Sequence, residues 1–304
     1  MTFVIAKIVD HHAGRVMLLA DTKMTHRNDE KLTRHALVNP LQKVVIVNDN
    51  VAVGFAGDNP ENAIRAVVDL RGNTVNDIKT GLLDYTRSKA TVKDASTSFL
   101  LTTRGPAPQI VEISNGIVED RTAVGTGWIG DADAHRAYTK TFLDLQHMPD
   151  LGGRFVGAMA SVVTREEVAS VGGHMVRATG CSETPMRFHG DPGFVMPWSM
   201  AASLTALAPG QVNMKFSLPK GHDPTRNSRI PVAGKWPTFS ALAHFVPELN
   251  TAWLHTHEQP WQAPIRIEAS SVSDLGDIAK SEYRQLLDTD RAATILEKNL
   301  GDRS

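Results

Sequence analysis

The sequence has a single cysteine, Cys181, in 304 residues. One cysteine excludes an internal disulfide and leads to the expectation of a reducing compartment. Net charge is nearly absent too: 32 Lys and Arg against 33 Asp and Glu leave a formal charge of -1. Nothing in that balance points to nucleic acid or an anionic membrane as a partner. No apolar run approaches the ~20 residues that a membrane-spanning helix needs. Charged residues appear within the first ten positions, inside a strand-like pattern, so no signal peptide is expected. Internal repeats and low-complexity tracts are missing as well. What is there is ordinary for a globular chain, with 41% hydrophobic and 21% charged residues. The length suffices for one large domain or two smaller ones, and the expected location is the cytoplasm.

The chain opens with two short apolar runs, "TFVIAKIV" and "RVMLLA", separated by the turn-forming "DHHAG". Residues 22–42 are polar without a period and read as a loop or lid. "KVVIV", "NDN" and "VAVGFAG" make a second hairpin. A helix follows, with Asn59 as its cap, Pro60 at its first position, and Ala63, Ile64, Val67, Val68 and Leu70 on one face. A second helix over about Val75 to Ser88 turns Ile78, Leu82 and Tyr85 inward. Strands return at "SFLLTT", "QIVEI" and "IVEDR", joined by "RGPAP" and "SNG". "GTGWIGDADAHRAYTKTFLDL" reads as a glycine-rich turn running into a helix, and "RFVGAMASVVTREEVAS" as another helix. "HMVRAT" and "MRFHG" are closing strands.

Helices that arrive in pairs argue against βαβ units and for two antiparallel sheets packed face to face, with a helix pair on each outer side. Beyond about Gly190 the texture changes to Pro-, Gly- and Trp-rich segments, and the last forty residues read as helical. A boundary is therefore expected near residue 190, with 191–304 as an extension of unknown role.

The order of these motifs resembles a known family. Thr2, "LLAD", "KVVIVNDNVAVGFAGD", "SFLLTTRGPAPQIVEISNG" and "AVGTG" follow one another as in proteasome β-subunits. The bacterial counterpart HslV is closer still, and both are N-terminal nucleophile hydrolases. The resemblance covers residues 2 to about 188 and implies a four-layer αββα sandwich. It also implies a threonine peptidase that needs no cofactor or metal and assembles as a closed homo-oligomer. Peptide or unfolded protein would be the substrate, and an ATP-dependent unfoldase a partner.

Each matched residue then has a physical task. A threonine hydroxyl is a weak nucleophile that needs a base within reach. An α-amine, with an unperturbed pKa of about 7.7–8.0, is such a base at neutral pH. Only the first residue of a chain carries both, so Thr2 requires loss of Met1. By resemblance, Lys43 lies beside the nucleophile, Asp21 pairs with Lys43, and Gly54 offers its N–H to the oxyanion. "EVASVGG" echoes the family's acid-x-x-Ser-Gly-Gly turn through Glu167 and Ser170, with Val171 inserted before Gly172. Trp128 in "GTGW" falls where the family has a small serine. Ala52 and Ala56 are expected to line the first substrate pocket, where their small size leaves room for a large apolar side chain.

Two other readings fit the same residues. One is an amidase of the superfamily acting on a small molecule, with the 22–42 segment closing its pocket. The other is a non-catalytic assembly or binding subunit in which Thr2 is only a strand residue. His255, His257 and Glu258 in "HTHE" have alternate-residue spacing that could present two imidazoles on one face of a strand, but no third ligand follows at a recognisable interval, so no metal site is expected there. The extension's Trp198, Trp236, Trp253 and Trp261 are expected in its core or at an interface.

Overall fold

The computed structural model describes residues 2–23, 40–90, 97–165, 168–189, 201–208, 211–217 and 230–294. Most of the stretch read as a loop or lid, together with Glu167 and Trp198, lies outside them. The chain is mixed α and β. One sheet holds β1 (Phe3–Asp10), β2 (Arg15–Asp21), β8 (Thr126–Gly130), β9 (Met175–Gly180) and β10 (Arg187–Phe188), in the order β10-β9-β2-β1-β8. A second sheet runs in sequence order through β3 (Val44–Asn48), β4 (Val51–Gly57), β5 (Thr97–Thr103), β6 (Gln109–Ser114) and β7 (Ile117–Asp120). Neighbouring strands in both are antiparallel.

The near-continuous apolar character of the first five strands has a direct cause: they are covered on both faces. Val4, Ala6, Leu18 and Ala20 of the first sheet meet Val44, Ile46, Ala52 and Leu100 of the second in one apolar cluster. The alternate residues Phe3, Ile5, Met17 and Leu19 point the other way. They pack on Tyr138 of α3 (Ala132–Asp144) and on Phe155 and Met159 of α4 (Leu151–Arg165). On the second sheet, Val45, Val53, Phe55 and Phe99 pack on Ala63, Ile64 and Val67 of α1 (Pro60–Asp69) and on Ile78 and Leu82 of α2 (Val75–Ala90). Pro60 does begin α1, but Asn59 is left-handed and makes no side-chain capping bond.

Strand β8 is a correction. "GTGWIG" is not a turn: Thr126–Gly130 pairs with β1 in the register Phe3↔Gly130 through Lys7↔Thr126. The glycines disguise the strand because they remove the β-branched signal that marks the others.

The extension is also more sheet than its composition suggests. β11 (Ala201–Ala208) and β12 (Gln211–Ser217) form a hairpin. β13 (Ile230–Ala233), β14 (Leu242–Val246), β15 (Thr251–His255) and β16 (Ile265–Glu268) form a four-stranded antiparallel meander. Val272, Leu275 and Ala279 of α5 (Val272–Tyr283) cover one face of it. The C-terminal helical reading holds for α5, which stops at left-handed Arg284 before Leu287 bridges to Gly234. The meander rests on the rest of the chain through Leu242, which enters the cluster between the first two sheets. Arg71 adds two hydrogen bonds of 2.7 Å, to the His257 carbonyl and to Ser240 Oγ. Trp253 is buried, whereas Trp236 is largely exposed.

Candidate active site

Asp21 ends β2 with its carboxylate inside the protein, and four groups converge on it. Oδ1 accepts from the Phe3 N–H at 3.0 Å and from Lys43 Nζ at 2.9 Å. Oδ2 accepts from Lys43 Nζ at 2.9 Å, the Lys23 N–H at 3.1 Å and the Gly172 N–H at 3.4 Å. Lys43, immediately before β3, also donates to the Lys23 carbonyl. Both side chains are fully buried. Burying two such charges costs several kcal/mol each, and only a complete set of partners offsets that cost. Here the set is complete on the acid. Burial pulls the Lys43 pKa below that of a surface lysine and the nearby charge of Lys23 adds to the shift, while Asp21 opposes both.

Thr2 stands at the foot of β1, directly before the residue whose N–H is held by Asp21. Its carbonyl accepts from the Asp131 N–H at 2.8 Å. Thr2 is 6% exposed with Met1 attached. Gly130 is what allows this close approach. Its φ is +103°, and a Cβ at that position would stand 1.8 Å from the Thr2 carbonyl oxygen. The next residue, Asp131, caps α3: Oδ1 accepts from the Asp133 N–H at 2.8 Å and the Ala134 N–H at 3.1 Å. Its other oxygen accepts a short hydrogen bond from Ser170 Oγ.

Sequence reading took Trp128 to stand in place of the family's serine and missed Asp131, three residues on. Trp128 pairs with Ile5 on the helix-facing side, where its ring stacks on His135 at 4.1 Å. The available signal was "GDADA", a glycine and an acid before a helix, which is N-cap chemistry.

The turn after α4 is brought to the same place. Gly172 donates to Asp21 and accepts from the Thr22 and Lys23 N–H groups at 3.3 and 3.1 Å. The His174 N–H donates to Thr22 Oγ1 at 2.7 Å. Ser170 thus joins Thr2 through Asp131, and inserted Val171 turns into the apolar cluster against α4. Glu167 is outside the described residues.

Gly54 lies in mid-strand, paired with Val44 and Leu100. A Cβ there would meet Val4 Cγ1 at 2.5 Å, so glycine is needed for the approach of β4 to β1. The crowding it relieves is with a core side chain, not with an incoming carbonyl. Ala52 and Ala56 face the same apolar layer. Ala56 stands 3.3 Å from where a Cβ on Gly130 would be, hence beside Thr2. Ala52 is four residues earlier, about 13 Å along the strand.

"HTHE" does not converge. His255 is buried in β15, whereas His257 bonds Ser240 Oγ through Nδ1 at 2.6 Å. Among the described residues, no group of three or more His, Cys, Asp or Glu side chains could hold a metal ion. Also among them, no helix is long and apolar enough to cross a membrane.

No protein-family model and no curated protein matches the sequence. Among solved structures, eukaryotic HslV from Trypanosoma brucei is similar at 17% identity and a TM-score of 0.44, over 59% of this chain and 98% of that chain. That likeness assigns neither a family nor an activity. What the residues themselves assemble is a hydroxyl at a potential N-terminus, a buried lysine–carboxylate pair one residue away, and a serine–aspartate pair against the same peptide.

Proposed function

We propose that the protein is an N-terminal threonine hydrolase of the proteasome and HslV kind, most simply a peptidase. One observation carries this reading. The Asp21 carboxylate holds both the N–H next to Thr2 and the ammonium of Lys43, which places a fully buried charge pair one residue from the Thr2 hydroxyl. The fold proposed is the αββα sandwich, supported by the three apolar clusters between helix pair, sheet, sheet and helix pair. Residues 1–190 would be the hydrolase core and 191–304 an extension to it.

In the mechanism, Met1 is removed and Thr2 Oγ attacks the substrate carbonyl. The Oγ proton passes to the Thr2 amine, the oxyanion is held by backbone N–H with Gly54 as donor, and the leaving amine departs protonated. Water, activated by the same amine, then releases the acyl group. Lys43 lowers the cost of the forming alkoxide, Asp21 fixes Lys43, and Ser170 with Glu167 supports the amine. Ala56 would bound the substrate side chain, whereas Ala52, about 13 Å along β4, faces the apolar layer between the sheets. A closed homo-oligomer in the cytoplasm, served by an ATP-dependent unfoldase, would suit a peptidase with so little specificity of its own.

The enclosure of the site favours a second reading, an amidase for small molecules. Thr2 is 6% exposed and Asp21 and Lys43 have no exposure at all. Incubation with fluorogenic peptides and with a threonine-directed electrophile, followed by intact mass and peptide mapping, tests both. The expected result is a chain lacking Met1, with one adduct on Thr2 that Thr2→Ala abolishes while the fold persists. Turnover of peptides separates peptidase from amidase. Met1 retained in reactive protein would sink the mechanism.

A further inference from the structure

Asp131 is 7% exposed, and its carboxylate is bonded by two N–H groups and a hydroxyl. Among the described residues no lysine, arginine or histidine side chain pairs with it, in contrast to Asp21 with its Lys43. Donors of this kind satisfy a carboxylate and favour its ionised form, so its buried charge remains available to a cation that approaches its uncapped side. The Asp131 N–H donates to the Thr2 carbonyl at 2.8 Å, which sets this cap against the residue that would become the N-terminus. Removing Met1 creates an α-ammonium there.

We infer that Asp131 is the counter-ion of the Thr2 α-amine in the processed chain, a positioning residue that acts through that amine. The inference rests on the N-terminal threonine reading and gives it an added feature. Two opposed charges would set the basicity of the amine: Asp131 from the β8–α3 corner and Lys43 from the start of β3. Among the described residues, the other titratable groups near this corner include Asp21 and Lys23 at the end of β2, Asp133 and His135 on α3, and His174 after the Gly172 turn. Asp21 is neutralised by Lys43, and the ring of His135 is stacked on Trp128. The Ser170 hydroxyl spends its proton on Asp131, leaving its lone pairs as acceptors for the ammonium.

The sign of the effect is fixed. A neighbouring carboxylate favours the charged amine, so removing it lowers the amine pKa. The acidic limb of Thr2 reactivity then moves to lower pH, while loss of positioning lowers the plateau. A role confined to capping α3 moves no limb.

The test uses full-length processed protein and a peptide vinyl sulfone as probe, with the rate of Thr2 adduct formation followed by mass spectrometry from pH 5 to 9. Asp131→Asn and Asp131→Ser both keep an N-cap acceptor for α3. The expected result for both is a limb displaced downward by about 1 pH unit and a plateau reduced about tenfold or more. An unmoved limb in variants that still label at Thr2 would overturn the counter-ion role and leave the hydrolase reading standing. Failure of the wild-type protein to label at Thr2 would overturn both. If neither variant folds while Thr2→Ala does, Asp131 is a fold determinant and the inference is wrong.

Discussion

Lys43 Nζ stands 2.9 Å from both carboxylate oxygens of Asp21, with neither side chain exposed. Breaking a buried pair strands the other charge, at a cost of ~3–5 kcal/mol. Lys43→Ala is therefore expected to lower unfolding free energy by that amount in denaturant titration. It should also slow Thr2 labelling by at least ~10²-fold at a temperature where the variant stays folded. Lys43→Arg should recover little of either, because a planar fork does not fit where a compact ammonium sits. Unchanged stability with full reactivity would remove Lys43 from the site.

Gly54 and Val4 offer a way to separate packing from chemistry. Gly54→Ala places a methyl 2.5 Å from Val4 Cγ1 and is expected to destabilise by ~1–3 kcal/mol, as overpacked cores do. Val4→Ala in the same chain should restore most of the stability by opening the space. If labelling of Thr2 returns with it, Gly54 matters only as a gap. If labelling stays low in the restored protein, its N–H or its approach to substrate matters as well.

The interface between the meander and the Gly172 turn carries a pH dependence. His174 stacks on His244 at 4.4 Å, and His244 lies 5.9 Å from His255. Among the described residues, both ring nitrogens of His244 and of His255 lack hydrogen-bond partners. Burial drives the His255 pKa down to about 3, and burial with the neighbouring His174 and His255 drives that of His244 well below the ordinary value. The unfolded chain titrates near pH 6.5, so the unfolded state binds protons first as pH falls. The stability tied to these neutral rings is present above pH ~6.5 and is lost progressively toward the folded pKa values, at ~1.4 kcal/mol per pH unit per histidine. Denaturant titrations from pH 7.5 to 4.5 should show this slope. His255→Leu should flatten it by about half and cost little at pH 7.5, because it removes no hydrogen bond. An equal slope in wild type and variant would place the pH dependence elsewhere.

Assembly is the fourth expectation. If the chain hides its nucleophiles as the proposed peptidase must, light scattering on the eluted full-length protein should give a closed oligomer. β7 is the outer strand of the second sheet and presents Ile117 and Val118 to solvent at 60% and 43% exposure. Ile117→Lys with Val118→Lys should lower the oligomer mass if that edge is an interface. A monomeric wild-type protein would refute the chamber.

The sequence by itself determined most of the elements, and their order, up to about residue 188. Strands that bury both faces read as unbroken apolar runs, amphipathic helices show their period, and Pro60 marks where α1 begins. It also placed Asp21, Lys43, Thr2 and Ser170 as candidates, because the order of the motifs around them resembles a known family; each residue alone carries no such signal. Other features only the tertiary structure decided. β8 was hidden because its glycines and its partner β1, more than a hundred residues away, carry no local signal. Asp131 drew no attention in the sequence; its place beside Thr2 exists because Gly130, by lacking a Cβ, lets that corner press on Thr2. Gly54 answers to Val4, and His174 to His244, across separations that no window of sequence spans. A local pattern reports what a residue's own element needs. The distances that make Thr2, Asp131 and Ser170 one group exist only after three separate segments close on each other.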